Sequence, residues 1–142
     1  MKKLTLEELE KKANEIRKDI IKTLAHAESG HSAGALGMAD VFTSLYFAIM
    51  NHDPDKPDWD ERDRLFLSCG HIVPVRYVTM AHAGYFPMSK LKTLRQLDSD
   101  LQGHPERTRL PSLESTSGPL GEGLAQAAGY GSDEPSLAPS CQ

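Results

Sequence analysis

The sequence predicts a mostly helical fold, either an all-helical domain or an α/β domain from which most of the sheet is missing. Roughly five segments carry helical apolar spacing, whereas Arg64-Leu65-Phe66-Leu67-Ser68 is the one convincing strand. Two of the helices are also very apolar, with no sheet in view for them to cover. The 142 residues suit one small domain or a piece of a larger one, and no internal repeat is present.

The first helix is the best marked. Thr5 and Glu8 make a capping-box pattern, and Leu6, Leu9, Ala13, Ile16, Ile20, Leu24 and Ala27 recur at helical spacing. Lys11, Lys12, Glu15, Lys18 and Lys22 give it a solvated face, and Ser29-Gly30 ends it just before His31. A second helix is expected over residues 35–50, apolar on nearly every side and therefore buried between layers or against another subunit. Pro54, Pro57 and four aspartates make residues 51–60 a polar loop.

The strand at residues 64–68 is closed by Gly70, which sets His71 at its carboxyl end, where ligands bind in open α/β sheets. Pro74 suits the first turn of the helix that follows, and Gly84 and Pro87 break that helix. Ser89 can cap a short helix with an apolar stripe of Leu91, Leu94 and Leu97. Residues 98–117 read as loop, and a last helix is expected to start near Gly118 and carry Leu124, Ala125, Ala127 and Ala128. From residue 131 the sequence loses periodicity and reads as a disordered tail, residues 131–142.

Composition excludes several function classes. A net charge of −4 argues against a general nucleic-acid surface, which requires a basic excess. Glu7, Glu8 and Glu10 occupy the place of a signal-peptide core, and no apolar stretch is long enough to span a bilayer. Cys69 and Cys141 make no disulfide framework, so a reduced, cytoplasmic protein is the default.

The candidate chemistry sits at glycine turns. Three of the six histidines directly follow a glycine, in Gly30-His31, Gly70-His71 and Gly103-His104. Glycine lets the backbone turn or approach a ligand closely, while imidazole donates, accepts or carries charge near neutral pH. Gly118-Pro119-Leu120-Gly121-Glu122-Gly123 then places small residues at a helix start, where free amides favour an anion. Each feature also has a bland reading. The glycine run can be a plain loop-to-helix connection, His71 can cap its own turn, and His31 and His104 can be surface histidines. Arg107 and Arg109 either pair with a substrate phosphate or are simply solvated. His26 and His82 read as helix-face residues and His52 as a loop residue. Metal ligation looks poor, because no Cys or carboxylate repeats at ligand spacing.

In order, these pieces resemble transketolase. The matching segments are Ser29-Gly30-His31-Ser32-Ala33-Gly34-Ala35-Leu36-Gly37, Arg62-Asp63-Arg64-Leu65-Phe66-Leu67-Ser68-Cys69-Gly70-His71, Gln102-Gly103-His104-Pro105-Glu106 and Ser115-Thr116-Ser117-Gly118-Pro119-Leu120-Gly121-Glu122-Gly123. Four ordered motifs are far more specific than any one turn. The serine after His31 and His71-Ile72-Val73-Pro74 look more like two-chain transketolases, in which a second polypeptide carries the pyrimidine-binding domain.

The resemblance implies an α/β, partial thiamine diphosphate-binding fold, mostly helical here with few parallel strands. Residues 1–130 would be a partial N-terminal diphosphate-binding domain, and residues 131–142 an unmatched tail. It implies thiamine diphosphate as cofactor, with Mg²⁺ or Ca²⁺, and transfer of a two-carbon ketol unit between sugar phosphates. His71, Gly118, Pro119 and Leu120 would contact the cofactor. His31 and His104 would contact the donor sugar, with His104 assisting proton transfer. The family's Gly-Asp-Gly metal motif and later Asn are absent, so the chain is expected to be truncated before the metal ligands. It would then be inactive alone and dependent on a C-terminal partner subunit in a dimer or higher assembly. A non-catalytic truncated paralogue and a deoxyxylulose phosphate synthase are the alternatives.

Overall fold

Thr5 opens the first helix as its sequence requires. Its hydroxyl accepts from the Glu8 amide at 3.4 Å, and the Glu8 carboxylate accepts from the Thr5 amide at 2.8 Å. Such reciprocal capping contributes about 1 kcal/mol. The computed structural model describes residues 3–133, and α1 spans Leu6–Ala27. Ala13, Ile16 and Ile20 are buried along its inner face, while Leu6 at the start of the expected stripe stays exposed.

The expected continuous helix over residues 35–50 is broken into three pieces. They are α2 (Ala33–Gly37), α3 (Ala39–Ser44) and a π-helical turn, Leu45–Ile49. The break falls at Met38, whose φ of −96° and ψ of 3° leave the helical region. Gly34 and Gly37 beside it weaken helix propagation. Gly34 also lets α2 close on Ile72, since a Cβ there would lie 2.6 Å from the Ile72 Cγ2. Apolar character all round is only partly covered: Ala39, Phe42, Tyr46 and Phe47 are buried, whereas Val41 and Ile49 face outward.

The expected strand is extended but is not part of a sheet. Among the described residues there is no strand, because no second extended segment forms a ladder with residues 64–68. Side chains bind one of its edges instead. The Leu65 amide donates to Glu114 at 3.3 Å, and its carbonyl accepts from Arg76 at 2.8 Å.

Helix α4 (Val73–Ala83) begins with Pro74 in its first turn and ends at Gly84, as the sequence predicts. Every residue of α4 except His82 is buried, and it packs against α1, α2 and α3. His82 completes the contact with α1 by a 3.0 Å bond to Asp19. A 3₁₀ turn, Met88–Thr93, follows. Ser89 does not cap it, and Leu97 is not on its stripe: the turn has ended at Leu94, leaving Leu97 93% exposed while Leu91 and Leu94 are buried.

Helix α5 (Glu122–Asp133) starts four residues later than Gly118, because Gly121 has a φ of +94° and interrupts the helical path. Gly123 brings α5 onto the extended segment, where a Cβ would lie 2.5 Å from the Ser68 Cα. Tyr130 adds a hydrogen bond from the Arg64 Nε at 3.1 Å and a ring contact with Phe66. The helix continues through residues 131–133, where the sequence suggests a tail, and the remainder of that segment lies outside the described residues. No helix among the described residues is long and apolar enough to cross a membrane.

Under these elements lies a buried charge network that the sequence does not announce. Both terminal nitrogens of Arg62 donate to Glu114, each at 2.7 Å. Arg76, 1% exposed, lies 3.6 Å from the same carboxylate and donates to the Ser112 carbonyl at 2.6 Å. Replacing Glu114 by Ala leaves two buried guanidiniums without their counter-charge. Glu114→Ala is expected to lose about 3–5 kcal/mol, measured by urea denaturation.

Candidate functional site

Each Gly-His turn delivers its imidazole from a different element. Gly30 holds a φ of +127°, and a Cβ on it would lie 2.5 Å from the Leu24 Cδ2, so only glycine turns the chain there without strain. His31 follows, exposed, just ahead of α2. His71 sits in a 3₁₀ turn, Gly70–Ile72, between the extended segment and α4. His104 comes from the long loop after the Met88–Thr93 turn.

The three rings meet. His31 and His71 have centroids 5.0 Å apart at an interplanar angle of 82°, and His71 and His104 are 4.7 Å apart at 85°. His71 is thus the middle ring of two edge-to-face contacts. Its Nδ1 is buried without a hydrogen-bond partner, so it does not cap its own turn.

Gly70 lets Ser117 and His104 close in on the turn that carries His71. A Cβ on it would lie 2.7 Å from the Ser117 Oγ, 2.9 Å from the Ser117 carbonyl oxygen and 3.1 Å from the His104 Cδ2. Gly118 follows Ser117 directly and has open space around it, and Pro119 and Leu120 lie exposed beyond. The run therefore starts at the edge of the imidazole cluster and leads out to solvent.

A polar hollow of about 670 Å³ adjoins His104, lined by Arg95, Gln102, Gly103, Glu106, Thr108 and Thr116. Arg95 packs against Gly103, where a Cβ would lie 2.5 Å from the Arg95 Nη1. Burial holds the His104 pKa below the ordinary imidazole value, and positive charge on His71, Arg95 and His31 lowers it further. A neutral imidazole can accept a proton, as a general base must.

The other candidates lie apart from this cluster. Arg107 and Arg109 are exposed, and Arg109 pairs with Glu106 at 3.6 Å. His26 is exposed on α1. His52 is buried and structural: it bonds the Tyr85 hydroxyl at 2.9 Å and the Tyr46 carbonyl at 2.7 Å. Among the described residues, no group of three or more His, Cys, Asp or Glu side chains is placed to hold a metal ion.

Sequence reasoning missed Ser117 and Arg95. For Ser117 a faint signal exists. Ser115 and Ser117 are buried and Thr116 between them is exposed, the period-two alternation of an extended segment. No glycine or histidine pattern marks Arg95, whose place follows from the loop's path.

Comparison with known proteins places this geometry in context. A family model described as the transketolase thiamine diphosphate binding domain matches residues 9–141. A transketolase from Buchnera aphidicola is 42% identical over 126 residues, which is 88% of this chain and 19% of that protein. A 6-deoxy-6-sulfo-D-fructose transketolase subunit from a Clostridium species is 39% identical over 122 residues, 86% of this chain and 44% of that protein. Among solved structures, transketolase from Leishmania mexicana superposes with a TM-score of 0.84 at 40% identity, over 87% of this chain and 18% of that one. The Pichia stipitis enzyme in complex with a sedoheptulose phosphate gives 0.83 at 36% identity, over the same shares of the two chains. The chain spans about a fifth of the length of most curated relatives it matches.

His104 generates a pH prediction. Its lowered folded-state pKa means that the unfolded chain binds more protons between that value and about 6.5. Stability contributed by neutral His104 is therefore complete above about 6.5 and falls as pH drops toward the folded-state value. Ring-proton NMR should find His104 titrating below free imidazole, and His104→Gln should flatten the stability profile across that window.

Proposed function

Because the chain belongs to the family of the transketolase thiamine diphosphate binding domain, we propose that it is the diphosphate-binding part of a transketolase. Its reaction would be the transfer of a two-carbon ketol unit between sugar phosphates. The observation that carries this reading is the convergence of His31, His71 and His104 on one small space.

The residues present fit an oxygen-rich anionic group. The Nδ1 of His71 and the Oγ of Ser117 are buried without partners, and any side chain on Gly70 would fill the space beside Ser117. His71 would hold the cofactor through its ring, and Gly118, Pro119 and Leu120 through the chain that leads into α5. His31 and His104 would meet the hydroxyls of the donor sugar. His104, kept neutral by its surroundings, would take and return a proton at a ring nitrogen. When bound, thiamine diphosphate supplies an electron sink at its thiazolium ring.

Mg²⁺ or Ca²⁺ would accompany the diphosphate through ligands other than the described residues. The free edge of residues 64–68 would take a neighbouring parallel strand, completing an α/β sheet. A pyrimidine-binding partner subunit would complete the site. The relative named as a transketolase subunit supports that arrangement.

Calorimetric titration tests the reading. Thiamine diphosphate with Mg²⁺ should bind the chain, and addition of a C-terminal transketolase subunit should tighten binding and permit ketol transfer. His71→Ala should weaken cofactor binding roughly tenfold, the loss of one hydrogen bond to a charged group. Ketol transfer by the chain alone, or no binding with the partner present, would overturn it.

A further inference from the structure

We propose that Ser117 is a further ligand-binding residue, its hydroxyl donating to a phosphoryl oxygen of the diphosphate that His71 also meets. The assignment rests on the cofactor reading given under Proposed function and extends it to a side chain that lies in the fourth matching segment but has no role assigned by the resemblance.

Three observations converge on Ser117. It is 3% exposed, yet its Oγ has no hydrogen-bond partner. A buried hydroxyl left unbonded destabilises a fold, so an unbonded one beside a cluster of polar groups points to a ligand. Its backbone is fixed, because the Ser117 amide donates to the Pro105 carbonyl at 3.1 Å. Its location is also specific: a Cβ on Gly70 would lie 2.7 Å from the Ser117 Oγ and 3.1 Å from the His104 Cδ2, so the hydroxyl and that ring pack against the glycine that precedes His71.

The neighbouring hydroxyls make the contrast. Thr116 Oγ1 is already engaged, accepting from the Arg107 amide at 3.0 Å. Ser115, also buried and unpartnered, lines a different hollow beside Arg64, Arg107 and Tyr130. Thr116 lines the hollow beside His104 with its oxygen already engaged, so of the three Ser117 is the unpartnered hydroxyl at the imidazole cluster.

The electrostatics select an anion. Arg95 adds a fixed positive charge next to His104, close enough to help lower the pKa of that imidazole. Glu106 lines the hollow beyond His104 and opposes this charge, but it pairs with Arg109 at 3.6 Å. A hydroxyl packed against the glycine before His71, on the side where the His104 ring also packs, adds a neutral donor to that charge.

The test is calorimetric titration of the full chain with inorganic pyrophosphate and, separately, with thiamine diphosphate. Ser117→Ala should raise the dissociation constant for both roughly tenfold, and Ser117→Thr, which keeps the hydroxyl, should restore most of it. Ser117→Cys is close in volume and a weak donor, so it should behave like the alanine variant. It serves if Ser117→Ala melts early in a thermal scan without ligand. Unchanged pyrophosphate affinity in a folded Ser117→Ala or Ser117→Cys variant would overturn the role of Ser117 and leave the cofactor reading standing. Failure of the unmodified chain to bind either probe would instead overturn the cofactor reading and this inference with it.

Discussion

A single buried carboxylate, Glu114, holds together the segments that carry the candidate site. It accepts from Arg62, lies within ion-pair distance of Arg76 and takes the Leu65 amide. Arg62 lies just ahead of the extended segment that leads to Gly70 and His71, Leu65 lies within it, and Arg76 lies one turn into α4. Glu114 itself stands three residues before Ser117. One charge therefore fixes the turn that presents His71 and the strand-like run that presents Ser117. A buried ion pair of this kind is weak evidence for net stability, because desolvation offsets the attraction. What it does secure is geometry. The terminal nitrogens of both guanidiniums find their partners when all three segments are in register.

Much of the helical frame was legible because it is written in local rules. The Thr5 and Glu8 box, the Pro74 start and the Gly84 stop each depend on residues within one or two turns. Other features depend on partners distant in the chain, and there local rules fail. Residues 64–68 have the composition of a strand, but a strand needs a neighbour to form its ladder. The helix expected across residues 35–50 breaks at Met38, where Gly34 and Gly37 just before it leave propagation weak and α2 closes on Ile72. Leu97 has helical spacing from Leu91 and Leu94, yet the turn stops before reaching it.

The site divides in the same way. Glycine before histidine is a local signal with a physical reason, and it picked out the three imidazoles that meet. Nothing in their spacing reveals that His71 lies between the other two. The Arg62, Arg76 and Glu114 network was invisible for a related reason: in sequence, arginine and glutamate read as surface residues. Burial inverts their meaning, and burial here is decided by α4 packing against three other helices.

Gly30 has a further consequence. Its backbone occupies the mirror-image half of conformational space, and Leu24 fills the volume where an L side chain would project. For a residue of D configuration the allowed map is inverted, so a φ of +127° falls on the side that its side chain permits. The placement of His31 thus depends on handedness rather than on size or polarity. Among the genetically encoded amino acids only the achiral one meets that demand, which makes the first imidazole the most stereochemically constrained of the three.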